Sequence, residues 1–319
     1  MAEKVFTVTL NPSLDKTVVI DKLVPYGLHR VLRTETDPGG KGINVARVLH
    51  SFGVEVVVTG FIAGSTGKML RDFLEQERIH SDFVEIAGET RTNVKIFDRN
   101  VRKTTELNES GSTVTAQDLA EFEARFRSLC RDARVAVLSG SLPPGAPADT
   151  YAHFIDIAKA AGVRAILDAD GDALRAGIES VPYAVKPNIH ELETLAGRAL
   201  KTPYEVLEVG RKLIRKGIGL VIVSMGPDGA VVLDAENAYK VDSWDVFVNG
   251  ATGAGDSMVG ALADALLRGA DLAEIARVTT VAGTITASKP GTRLCTKREV
   301  METLDLVTLH PLAAGGMPA

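Results

Sequence analysis

The chain has 319 residues, 45% of them hydrophobic and 24% charged, the proportions of a globular protein with enough material for a large core. Its formal net charge of −5 argues against a general nucleic-acid binder, and no apolar run approaches the roughly 18 residues of a membrane span. Cys130 and Cys295 fit no metal-ligand spacing and are expected to be free thiols in a reducing, cytoplasmic setting.

The amino terminus carries an early acid and no long apolar stretch, so it reads as a first strand and not as a signal peptide. Short runs rich in Val and Ile predict buried parallel strands over Val5–Leu10, Val54–Gly60, Val135–Ser139, Arg164–Asp168, Tyr183–Lys186 and Leu220–Ser224. Helical spacing falls between them, over Ile43–Phe52, Gly67–Arg78, Ala116–Cys130, Ala148–Ala161, Pro203–Lys216 and Gly255–Leu267. This alternation predicts a three-layer α/β domain around a mostly parallel sheet.

Two segments break the rhythm. Lys16–Thr36 and Arg91–Leu107 show strand-like alternation with many charges, as in Thr92-Asn-Val-Lys-Ile-Phe97. They are either two surface hairpins or a small antiparallel sheet that would act as a lid over a cleft. The residues from His310 onward read as a disordered tail.

The most informative stretch is Asn249-Gly-Ala-Thr-Gly-Ala-Gly-Asp256, directly ahead of a helical pattern. Residues this small let backbone N–H groups approach an anion, and the helix start adds its positive end. A carboxylate at the mouth of such a nest can take a proton from a substrate hydroxyl while the nest receives phosphate charge. The structural alternative is a Gly-rich turn with Asp256 as helix cap.

Four more sites carry the same ambiguity. Asp37-Pro-Gly-Gly-Lys-Gly-Ile-Asn44 offers close backbone approach at Gly39, Gly40 and Gly42 and a phosphate-seeking ammonium at Lys41, or simply a loop entering a helix. It has neither Walker A spacing nor a dinucleotide fingerprint. Ser139-Gly-Ser-Leu-Pro-Pro-Gly145 follows a strand, where open α/β sheets bind ligands, although Pro-Pro-Gly also just ends a strand. Asn188 and Glu191 have capping-box spacing, which the residues alone favour; the alternative is water-mediated contact with Mg²⁺. Met225–Gly229 lies between two strands, as a hairpin or as one wall of an adenine pocket.

Taken in order, Asn11-Pro-Ser-Leu-Asp15, Gly39-Gly-Lys-Gly-Ile-Asn-Val-Ala46, Gly88-Glu-Thr-Arg-Thr-Asn93, Ser139-Gly-Ser-Leu-Pro-Pro144, Lys186-Pro-Asn-x-x-Glu-Leu192 and Gly253-Ala-Gly-Asp256 resemble the PfkB branch of the ribokinase-like sugar kinases. The resemblance runs over about residues 4–306. It implies a Rossmann-like three-layer core, approximately residues 1–11, 38–89 and 110–306, with a small β-sheet lid of about 12–37 and 90–109 and a tail from 307. It also implies ATP and Mg²⁺, a small-molecule sugar phosphate as substrate, and a homodimer formed through the lids.

By the family's pattern Asp256 is the base, with the amides of Ala254, Gly255 and Asp256 as the anion hole. Asp15, Gly39, Gly40 and Asn44, with Ser139, hold the sugar, and Lys41 and Arg91 bind its phosphate. Lys186, Asn188, Ser224, Gly226, Gly229 and Gly253 contact the nucleotide, and Asn188 and Glu191 serve Mg²⁺ through water.

Within the branch, Gly-Gly-Lys-Gly, Gly-Glu-Thr-Arg-Thr-Asn and Thr105-Glu-Leu-Asn108 are most similar to 1-phosphofructokinases and tagatose-6-phosphate kinases. The expected reaction is fructose 1-phosphate to fructose 1,6-bisphosphate, with tagatose 6-phosphate or fructose 6-phosphate as alternative acceptors. A non-catalytic nucleotide or sugar-phosphate sensor is the reading from another class; intact Asp256, Glu191 and Lys41 argue against it. Asp168-Ala-Asp-Gly171 departs from the usual Asp-Thr/Ser-Ser-Gly and puts two acids near the sheet's edge, and Asn249-Gly-Ala251 departs from the usual lead into Gly-Ala-Gly-Asp.

Overall fold

The computed structural model describes residues 4–246 and 252–313. The Asn249-Gly-Ala departure and the last six residues lie outside them. The first third of the chain contains β1 (Lys4–Thr9), β2 (Ser13–Ile20), β3 (Arg33–Gly39), α1 (Lys41–Ser51), β4 (Val56–Ala63), α2 (Gly64–Gln76), β5 (His80–Ile86), β6 (Arg91–Asp98) and β7 (Lys103–Leu107). Then follow α3 (Ala116–Cys130), β8 (Ala133–Ser139), α4 (Thr150–Ala160), β9 (Arg164–Asp168), α5 (Gly171–Glu179), β10 (Ala184–Val185), α6 (Ile189–Ala196), α7 (Pro203–Arg215) and β11 (Leu220–Ser224). The remainder comprises β12 (Ala230–Leu233), β13 (Ala238–Asp242), α8 (Ala254–Arg268), α9 (Leu272–Ser288), α10 (Lys297–Glu302) and β14 (Thr308–Pro311).

The large sheet runs β14-β13-β12-β11-β10-β9-β8-β1-β4-β5. From β5 to β11 every pairing is parallel, and the last three strands continue antiparallel. The parallel strands are apolar throughout because both faces are covered. In β8, Val135 and Val137 face one layer with α1, α8 and α9, while Ala136 and Leu138 face the other with α3, α4 and α7. Each such fully buried Val or Leu contributes about 1.5–3 kcal/mol. Phe122, Phe126 and Phe154 meet edge-on or tilted in the second layer, with centroids 4.8 to 6.3 Å apart, a spacing that suits their ring quadrupoles.

Gly60 shows why one residue type is required where β4 lies against β1. It has φ +147, and a Cβ there would stand 1.9 Å from Thr9 O. Strand order reverses between β1 and β8, so a crevice opens beyond their carboxyl ends, the position at which such sheets bind ligands.

The small sheet, β3-β2-β6-β7, is built from the two rhythm-breaking segments. It is mixed and not antiparallel as expected. β2 pairs with β6 in parallel, Asp15 opposite Asn93, while β3 and β7 flank them antiparallel. Parallel pairing follows from connectivity: β2 and β6 each leave the large sheet in the same direction, after β1 and after β5. The expected tail also needs correction, because Thr308–Pro311 forms β14 and pairs with β13 from Asp242 to Tyr239. His310 Nε2 lies 2.8 Å from Asp242 Oδ2 across that pair. Cys130 and Cys295 are buried free thiols, and no helix among the described residues is long and apolar enough to cross a membrane.

Candidate active site

A cleft of about 910 Å³ lies between the small sheet and the carboxyl ends of the large one. Most of the sequence-predicted site residues line it: Asp15, Gly40, Lys41, Asn44, Arg91, Lys186, Asn188, Glu191, Ser224, Gly226, Gly229 and the run Gly253 to Asp256. Ser139 does not. It is fully buried at the end of β8, and Gly140 and Ser141, which follow it, reach the cleft. Gly39 also stands behind the wall; a Cβ there would lie 2.5 Å from both Asp15 Oδ1 and Ser13 Oγ, so its bare backbone makes room for the carboxylate.

The helix α8 starts at the cleft. Its N-cap is Gly253, with φ +83, and no side chain caps it. Asp256 sits three residues further on, so the simple capping explanation for this acid fails. The amides of Ala254, Gly255 and Asp256 precede the first intrahelical bond, from Ser257 N to Gly253 O at 2.9 Å, so they have no partner within the helix and point their N–H groups toward an incoming anion.

Asp256 is 6% exposed, and its Oδ2 accepts from Asn44 Nδ2 at 2.7 Å. Burial, followed by the nearby charge of Asp168, pushes its carboxyl up to about 6; the Asn44 bond, Lys41 and Lys186 oppose the shift. A carboxylate with that proton affinity can exchange a proton near neutrality.

Beside it is a buried charge cluster. Asp168 closes β9, an interior strand and not an edge, and its Oδ1 lies 3.3 Å from both Lys41 Nζ and Lys186 Nζ. Burial alone would raise its carboxyl, but the two ammonium groups hold it below the ordinary range. The same carboxylate raises the affinity of Lys41 for its proton. Asp168 Oδ2 is buried without a hydrogen-bond partner. Lys186 packs against the α8 terminus, where a Cβ on Gly255 would come within 3.2 Å of its Nζ.

At the opposite end, Asp15 accepts from Ser13 Oγ at 2.8 Å, Asn93 Nδ2 at 3.1 Å and Lys95 Nζ at 2.8 Å. Arg91 spends three N–H groups on backbone carbonyls, two on Asn11 O and one on Glu109 O. Asn93, Lys95, Glu106 and Asn108 of the small sheet also line the cleft. Of these, Asn93, Glu106 and Asn108 lie in the motifs quoted above, and the family's pattern assigns none of the four a role. Their signal was the two-residue spacing from Arg91, which puts Asn93 and Lys95 on its face.

Asn188 and Glu191 form a complete capping box on α6: Glu191 N donates to Asn188 Oδ1 at 2.9 Å, and Asn188 N to Glu191 Oε2 at 2.8 Å. The box leaves both side chains at the cleft surface. Met225 to Gly229 forms a tight turn between antiparallel β11 and β12 and also lines the cleft, so hairpin and pocket wall are one feature.

An anion-receiving helix start, a buried carboxylate beside it and cations at both ends of one cleft define a phosphotransferase. The pfkB family carbohydrate kinase profile matches residues 8–299. The 1-phosphofructokinase of Bacillus subtilis (strain 168) is 36% identical over 283 residues, 89% of this chain and 92% of that protein. The 1-phosphofructokinase of Xanthomonas campestris pv. campestris is 37% identical over 285 residues, 88% of this chain and 90% of its own length. Among solved structures, phosphofructokinase-2 from Escherichia coli in complex with fructose-6-phosphate superposes with a TM-score of 0.89 at 31% identity, covering 96% of this chain and 99% of that one. The chain belongs to the pfkB family of carbohydrate kinases, and it is an ATP-dependent sugar-phosphate kinase.

Proposed function

We propose that the enzyme phosphorylates fructose 1-phosphate on its 6-hydroxyl, giving fructose 1,6-bisphosphate and ADP. Two curated relatives at 36% and 37% identity bear the name 1-phosphofructokinase, which favours this acceptor over fructose 6-phosphate, the ligand named with the 31% identical Escherichia coli structure. The observation that carries the chemistry is Asp256: a buried carboxylate beside the first-turn amides of α8, anchored by Asn44 at 2.7 Å.

In this reading the sugar lies under the small sheet, held by Asp15, Gly40 and Asn44, with its phosphate toward Lys41 and Arg91. Asp256 accepts the proton of the acceptor hydroxyl as that oxygen bonds the γ-phosphorus. The bond from γ-phosphorus to the β–γ bridging oxygen breaks, and ADP leaves with that electron pair. The α8 amides and Lys186 face the charge on the moving phosphoryl group, whose loose transition state needs positioning and electrostatics more than covalent help. Ser224, Gly226 and Gly229 flank the nucleotide.

Among the described residues no cluster of three His, Cys, Asp or Glu groups could hold a metal alone. Mg²⁺ requires less: it keeps several waters and binds through one or two carboxylates plus substrate phosphates. Glu191 and Asn188 are hard oxygen donors of that kind, and the unpartnered Asp168 Oδ2 leaves a buried acceptor for a bound water. When present, the ion would neutralise charge on the nucleotide phosphates.

The small sheet's outer face carries Val18, Val94, Ile96 and Leu107, with Leu107 56% exposed, and the loop after β2 exposes Val24, Tyr26 and Leu28. A second copy covering this face through its own lid would bury it, which gives a homodimer. Buried thiols accord with a cytoplasmic setting.

The deciding experiment follows ADP release from Mg-ATP with fructose 1-phosphate, fructose 6-phosphate, tagatose 6-phosphate and free fructose in separate assays. The expected outcome is a kcat/KM for fructose 1-phosphate at least tenfold above the others. Preference for free fructose, or activity on none, would reject the phosphate-site assignment.

A further inference from the structure

We infer that Asn93 and Lys95, on β6 of the small sheet, bind the acceptor sugar directly and set which sugar is taken. Lys95 donates to the phosphate-bearing end of the substrate, and Asn93 accepts from a sugar hydroxyl. The inference rests on the sugar-phosphate kinase reading above and adds to it two residues and a basis for selectivity.

The first observation is the patterning of β6. Arg91, Asn93 and Lys95 share the face that lines the cleft, opposite Ser13, Asp15 and Thr17 of β2 in register. On this sheet the polar face is the covered one: Asn93 is 8% and Lys95 7% exposed, while Val94 and Ile96 on the other face are half-buried. A sheet selected for stability alone would be patterned the other way, apolar side inward.

The second observation is unspent hydrogen-bonding capacity. Among the described residues the Lys95 ammonium makes one hydrogen bond, with Asp15 Oδ2 at 2.8 Å, although it carries three donors. Asn93 uses its Nδ2 on Asp15 Oδ1, but its Oδ1 is buried without a partner. A buried acceptor left unpaired costs stability, and a buried ion pair is seldom better than apolar residues of the same volume. Both are accounted for if a ligand completes them. Spare N–H donors on a fixed positive charge suit a phosphoryl oxygen, and an amide oxygen suits a hydroxyl proton.

Arg91 and Lys41, the other cations at this end, are already engaged, Arg91 with backbone carbonyls and Lys41 with Asp168. Lys95, buried on the cleft face with one hydrogen bond against three donors, thus keeps donors to spare where the substrate would lie. Its charge is offset by Asp15, so it discriminates by geometry more than by raw attraction.

The test compares steady-state kinetics of the full-length enzyme and its variants on fructose 1-phosphate and on free fructose. Wild-type preference for the phosphorylated sugar is established first, and its absence would reject the parent reading before any variant is considered. Lys95→Met is expected to raise KM for the phosphorylated sugar about tenfold or more, the worth of one charged hydrogen bond. Its KM for ATP should stay within about twofold, and its kcat/KM for free fructose, which lacks the phosphate, should fall several-fold less than that for the phosphorylated sugar. Lys95→Arg, which keeps the charge, should recover part of the loss. Asn93→Leu should weaken both sugars equally, because both carry the hydroxyl. If Lys95→Met does not fold, Lys95→Gln, which can still donate to Asp15, carries the same comparison. A Lys95 variant with a lowered melting temperature but an unchanged ratio of phosphorylated to free sugar would overturn the inference and make Lys95 only the partner of Asp15.

Discussion

Asp256, the proposed base, is a single side chain whose properties come from its surroundings. Burial, then the negative charge of Asp168, raises its carboxyl to about 6. In its proposed role as base it works ionised, so lowering the pH through that value is expected to protonate it and remove activity. We expect kcat/KM, which reports the free enzyme, to fall about tenfold per pH unit below this limb. Removing the nearby negative charge in Asp168→Asn should move the limb to lower pH. Asp256→Asn should lose roughly 10²–10⁴ in kcat while equilibrium titration still shows ATP binding; near wild-type turnover would sink the general-base role.

Among the elements, α6 shows how one pair of residues serves two ends. The Asn188–Glu191 box holds the start of the helix and points the same side chains into the cleft. Glu191→Gln keeps an acceptor for the capping bond and removes the charge. Its denaturation midpoint should match the wild type while the Mg²⁺ concentration for half-maximal rate rises severalfold. Glu191→Ala should in addition lose about 1 kcal/mol of stability. An unchanged Mg²⁺ requirement in both variants would reduce Glu191 to a cap.

The elements were unevenly legible. The interior parallel strands stood out because burial on both faces makes them continuous apolar runs. β5, His80-Ser-Asp-Phe-Val-Glu-Ile86, is an edge strand whose charges hide it, while β10, expected over Tyr183–Lys186, is the shorter Ala184–Val185. α9 is nearly apolar all round and rich in Thr and Val, residues equally at home in strands. The last strand was read as part of a tail because Thr308–Pro311 pairs only with a strand some 70 residues earlier, at Asp242 to Tyr239.

For the whole molecule, the proposed roles of the small sheet would connect sugar binding to assembly. Its inner face holds Asp15, Asn93 and Lys95, and its outer face is a partly exposed apolar stripe. Ile96→Lys should therefore convert a dimer to a monomer in sedimentation and raise KM for the sugar, since a lid without its partner is less firmly held over the cleft. A wild-type monomer, or a variant dimer of full activity, would rule out assembly through this face.

The sequence by itself determined the alternating α/β plan, the two segments that leave it and nearly every residue type the cleft needs. Those are local properties, written in periodicity and in motifs a few residues long. What only the tertiary structure decided is which of these groups meet. Asn44 reaches Asp256 across 212 positions, Lys41 reaches Asp168 across 127, and Lys95 reaches Asp15 across 80. The proton affinity of Asp256, the clasp on Asp168 and the unspent donors of Lys95 all arise from those meetings. A carboxylate's charge state depends on the water it loses and the charges it gains on folding, and neither is visible until distant strands have been laid side by side.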